Sequence, residues 1–110
     1  MIRFINNLYI TDDLKSKEDI IKWKMACGIG MTGIHFITIA ASDNDWFDIY
    51  PAANFKQKGF RRRDLVIIGM AGSYNDALEL VKVMVDECLE ITKDVHSVRA
   101  YYEDYIKKNL

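Results

Sequence analysis

The sequence predicts an α+β domain, a small two-layer sandwich in which an antiparallel or mixed sheet of three to four strands carries two to three helices. Three observations lead there. Two short β-branched runs, Ile34 to Ala41 and Leu65 to Met70, read as strands buried on both faces. Two capped segments with helical periodicity lie outside those runs. At 110 residues, half of them apolar and 28% charged, the chain suits a single core, and no Gly, Ser or Pro-rich linker divides it, so residues 1–110 are expected to form one domain.

Residues 3–10, with Phe4, Leu8, Tyr9 and Ile10, read as the first strand, ended by the polar group Thr11-Asp12-Asp13. A helix is predicted over 17–27. Ser16 is placed to cap it, Asp19 to complete a capping box, and Gly28 to close it at the C′ position. After the strand at 34–41, residues 42–63 form a long connection, acidic first and basic later, in which Pro51 can start a short helix or turn. The strand at 65–70 leads into the longest helix, about 74–91, with Ser73 as its cap. There Ala77, Val81, Met84, Cys88 and Ile91 make one stripe, widened by Leu78, Val85 and Leu89. That arc exceeds what one sheet face covers, which predicts a further helix or a second copy of the chain against it. Val98, Tyr101, Tyr102, Tyr105 and Ile106 follow helical spacing, and the tyrosines read as packing residues. An edge strand at 95–101 is the alternative and would complete a ferredoxin-like βαββαβ order.

The charge balance, 15 Lys and Arg against 16 Asp and Glu, gives the molecule no field that would draw in nucleic acid or an acidic membrane, so an ionic partner needs a local patch. Phe55-Lys56-Gln57-Lys58-Gly59-Phe60-Arg61-Arg62-Arg63 is such a patch: Lys56, Lys58, Arg61, Arg62 and Arg63 could hold phosphates while Phe60 stacks a base. Asp43, Asp45 and Asp48 are rich in oxygen but lack the glycine and glutamate of a calcium loop, so no metal is expected. Cys27-Gly-Ile-Gly-Met-Thr-Gly33 contains the spacing of a dinucleotide fingerprint with its context reversed, helix before and strand after. It reads as a helix cap and turn, and no cofactor is expected. The order strand, turn, capped helix occurs at Gly72-Ser73. Together with Asp45, Asp48 and His35, these residues are the candidate lining of a small-molecule pocket.

Cys27 and Cys88 fall on apolar helix faces and read as reduced core thiols. No signal-peptide pattern opens the chain and no run of about 18 apolar residues occurs, so the cytoplasm is the expected location, with no membrane partner. The resulting expectation is a non-catalytic, self-associating accessory or regulatory binding domain, a homo-oligomer. Polyanion binding by the basic loop 55–63 is the first alternative. A small-molecule binder or small enzyme is the second.

Overall fold

Neighbours Phe4 and Ile5 of the first strand pack into the cores on opposite faces of the sheet. β1, Ile2–Ile10, buries Ile5 and half-buries Phe4 and Leu8 while Arg3 and Asn6 stay wet. The computed structural model describes residues 2–61 and 63–110, and for Arg61 the backbone only. β1 is followed by a 3-10 turn over Asp12–Lys17, helix α1 (Glu18–Ala26), strands β2 (His35–Ile39) and β3 (Phe47–Pro51), and a 3-10 turn over Ala52–Lys56. Then come α2 (Lys58–Arg61), β4 (Leu65–Ala71), α3 (Tyr74–Thr92) and α4 (Val98–Asn109). The four strands form one mixed sheet in the order β1-β4-β2-β3, with β1 parallel to β4 and the other neighbours antiparallel.

Each face of the sheet carries its own core. α3 and α4 cover one face, where Ala77, Met84, Cys88, Val98 and Tyr102 close over Ile5, Ile37 and Ile68. On the other, α1 and the 52–56 turn bring Ile21, Met25, Ala52 and Phe55 over Phe36, Ile67 and Met70. Burying each of the Ile, Val, Phe and Met side chains among them stabilises the fold by roughly 1.5–3 kcal/mol. Neighbours Ile68 and Gly69 both face the α3 side: Ile68 joins that core, and a Cβ on Gly69 would lie 3.2 Å from Ile37 Cδ1. The alternation of β4 therefore slips by one residue there, as at a β-bulge.

Several expectations change. Ser16 does not cap α1, because the chain enters through the 3-10 turn and Lys17 takes the cap position without a side-chain bond. Gly28 does close it, at φ 70°, with Gly28 N–H on Met25 O and Ile29 N–H on Lys24 O, the paired bonds of a Schellman motif. Ser73 caps α3 by accepting from Asp76 N–H at 3.0 Å. Ile91 leaves the predicted stripe and is 66% exposed. Cys27 is exposed at the end of α1, whereas Cys88 is buried.

The long connection holds a strand, β3, that raises the sheet to four. α2 and α4 raise the helices to four, above the two to three expected. Residues 98–109 are helical, so the ferredoxin-like order does not form. The helix wins because it turns Val98 and Tyr102 together into the core, where Tyr102 O–H donates to the Met84 carbonyl.

Candidate functional site

β3 ends the sheet, and its open side can be read from the ladder. Ala40 N–H donates to Trp46 O at 3.1 Å and Ala52 N–H to Ile34 O at 2.8 Å, so the hydrogen-bonded pairs fall on Phe36/Tyr50 and Thr38/Asp48. Phe47, Ile49 and Pro51 then turn their backbone groups away from β2. Pro51 thus sits where its missing N–H costs no ladder bond, as edge prolines do. Beside this edge lies an open cavity of about 360 Å³ walled by Trp46, Phe47, Ile49, Tyr74, Leu78 and Val81. Trp46, Tyr74 and Leu78 are exposed there, an apolar surface continuous with unpaired backbone.

The opposite edge is built differently. β1 loses register with β4 between Phe4 and Tyr9, and Asn7 takes a left-handed φ of 57°. α4 grips that irregular stretch: Tyr105 O–H donates to Asn7 O at 2.6 Å, and Asn7 Nδ2 donates to Asn109 Oδ1 at 2.9 Å. A kinked, helix-clasped edge offers a poor template for another strand.

The acidic half of the 42–63 connection is held by α4, and the basic end reaches back through Tyr50 to Asp48. Arg99 on α4 donates to the Ser42 and Asp45 carbonyls at 2.9 and 3.1 Å and approaches Asp43 at 3.8 Å, so the C-terminal helix holds the acidic loop. Arg63 lies over the rings of Tyr50 and Phe60 and donates to Tyr50 O–H at 3.4 Å. Tyr50 in turn donates to Asp48 Oδ2. Phe60 packs edge-on against Phe55 and Tyr50. Lys56 and Lys58 are exposed and make no ion pair among the described residues, and Lys56 lays its stem across Gly30. Arg62 and the Arg61 side chain lie outside the described residues.

Of the predicted pocket residues, Asp45 and Asp48 line the cavity beside β3. His35 reaches Tyr74 in an edge-on contact, and its Nδ1 lies 2.7 Å from Gly33 O. Gly72 and Ser73 precede Tyr74; the Ser73 hydroxyl is committed to its cap, and the Asp13 carboxylate closes on Gly72. Asp48 Oδ2 accepts from Ala41 N–H and Tyr50 O–H, so it works within its own hairpin.

A second cavity, about 350 Å³, is lined by residues of β2, β4 and α4. The regular β2–β4 register ends at Ile37↔Gly69, next to the slip in β4. Thr38, Ile39, Leu65, Val66 and Ile106 line this cleft, with Asp64, Glu103 and Lys107 exposed around it. Thr38 is 2% exposed and its hydroxyl has no hydrogen-bond partner.

The sequence reading missed both features. Period-two alternation at Phe47-Asp48-Ile49 and a lone hydroxyl inside Ile34 to Ala41 were their only signals. Among the described residues, no three His, Cys, Asp or Glu side chains gather to hold a metal, and no helix is long and apolar enough to cross a membrane. Comparison with known proteins finds no matching family model, no matching curated protein and no matching solved structure.

Proposed function

We propose that this chain is a non-catalytic, self-associating binding domain whose copies meet at β3. One observation carries the reading: a regular, unclasped edge strand runs directly into exposed Trp46, Tyr74 and Leu78. An edge strand pairs with its own copy about a two-fold axis, which makes the interface isologous. Centred on Ile49, such pairing lets Ile49 exchange bonds with its counterpart and Phe47 N–H reach the Pro51 carbonyl of the second copy. The apolar cavity walls then close on each other. The remaining exposed face of α3 at Leu78 supports the same reading, since α4 packs along only part of that helix.

Sedimentation velocity from micromolar to submillimolar concentration tests it. The mass should rise toward a dimer, and the paired substitution Trp46→Glu and Leu78→Glu, both on exposed positions, should hold the protein monomeric without unfolding it. Trp23→Glu, on the exposed outer side of α1, should change nothing. A monomer at every concentration, or loss of the dimer through Trp23 alone, overturns the assignment.

Polyanion binding is the second reading, and Lys56 and Lys58 favour it because neither cation has an ion-pair partner among the described residues. Its mark is affinity for single-stranded oligonucleotide that falls steeply with salt. Lys56→Ala with Lys58→Ala should flatten that slope, and absence of binding at low salt removes the reading.

A further inference from the structure

We propose that Arg63 and Asp48 form two reciprocal ion pairs between copies of the chain, which set the register of the β3 pairing and make it salt-dependent. This inference rests on the self-association at β3 and concerns the other face of the same strand. Phe47 and Ile49 turn to the α3 side, whereas Tyr50 packs against the core on the α1 side. Asp48 reaches that side, because its Oδ2 accepts from Tyr50 O–H at 3.1 Å. Arg63 lies there too, its guanidinium carbon 5.3 Å from the centre of the Tyr50 ring and 5.0 Å from that of Phe60. Two rings thus hold a cation over the edge strand.

A two-fold axis through Ile49 decides what this cation meets. When Ile49 exchanges bonds with its counterpart, Asp48 of one copy stands directly opposite Tyr50 of the other, in a pair without ladder bonds. Such pairs bring side chains closest, with Cβ atoms roughly 4.5–5.5 Å apart. The incoming carboxylate therefore arrives beside the ring that carries Arg63, and symmetry repeats the contact across the axis. Other registers lose it. An axis at Asp48 would set the two carboxylates against each other, and an axis at Tyr50 would set Asp48 against Ala52 of the second copy. The charges select the pairing centred on Ile49.

Sedimentation velocity of charge-reversed variants tests this, with the parent dimer as reference and an amide spectrum to check that each variant folds. Arg63→Glu alone and Asp48→Lys alone should each weaken association by at least about tenfold, since the two-fold repeats every repulsion. An equimolar mixture of the two should associate as heterodimers, because each copy then supplies the charge that the other lacks. Should a reversal fail to fold, Asp48→Asn decides: it keeps an oxygen for the Ala41 N–H, and its dimer should respond less to salt than the parent's. A parent chain that stays monomeric removes the β3 pairing and the ion pairs with it. Where the parent dimerises, the ion pairs alone are overturned by single variants that associate as well as it does, by folded variants whose mixture stays monomeric, or by equal salt response in Asp48→Asn.

Discussion

Gly69 and Gly72 respond to an added methyl group in opposite senses, and the closer approach is the harmless one. A Cβ on Gly72 would run into Asp13, but that carboxylate is the end of an exposed side chain and can swing aside. On Gly69 it would lie 3.2 Å from the backbone oxygen of Tyr9 and from Ile37 Cδ1, neither of which can yield inside a packed sheet. Gly69→Ala should therefore cost about 1–3 kcal/mol in urea unfolding while Gly72→Ala stays near neutral. Thr38 makes the reverse case. Replacing its unpartnered, buried hydroxyl with the methyl of valine should leave the unliganded protein as stable or up to about 2 kcal/mol more stable. A clear loss of thermal stability in Thr38→Val would mean that the hydroxyl is already satisfied. Neither residue announced its role in the sequence, because a glycine at a slip in a strand and a hydroxyl in an apolar run differ from their neighbours only through what lies across the sheet.

Elements with local signals were legible and those defined by distant partners were not. Ser73, Gly28 and the two β-branched runs placed α3, the end of α1, β2 and β4 correctly, since each answers to its own backbone. β3 escaped because its five residues, Phe47–Pro51, sit among charges and become a strand only when β2 lies beside them. α3 ends on Lys93 at φ 56°, a left-handed conformation that favours glycine. Lys93→Gly should stabilise the protein by about 0.5–1 kcal/mol, read from the denaturation midpoint. α4 is held by phenols whose ionisation the fold resists. Burial is the main cause raising Tyr9, Tyr102 and Tyr105 above the ordinary tyrosine value of 10.0. Their folded values lie above the unfolded one, so the neutral phenols contribute full stability below about pH 10, and that contribution is lost as pH rises toward the folded values. Urea midpoints should fall above that pH. Tyr102→Phe should start lower, having lost its bond to Met84 O, and fall less steeply.

At the scale of the molecule the two ends of the sheet carry the account. One is irregular, left-handed at Asn7 and clasped by α4; the other is regular, with aromatic and aliphatic side chains exposed beside it. The sequence already showed more apolar surface on the long helix than one sheet face could cover. It could not show that α4 would take one part and leave the part nearest β3, because that division depends on which sheet edge the C-terminal helix crosses. Amide hydrogen exchange at Phe47 and Ile49, followed as protein concentration rises, tests the pairing of copies most directly. Their outward N–H groups should exchange freely in dilute solution and become protected as copies associate, while exposed amides of α1 keep their rates. Exchange at both positions that stays equally fast across the whole range would contradict it.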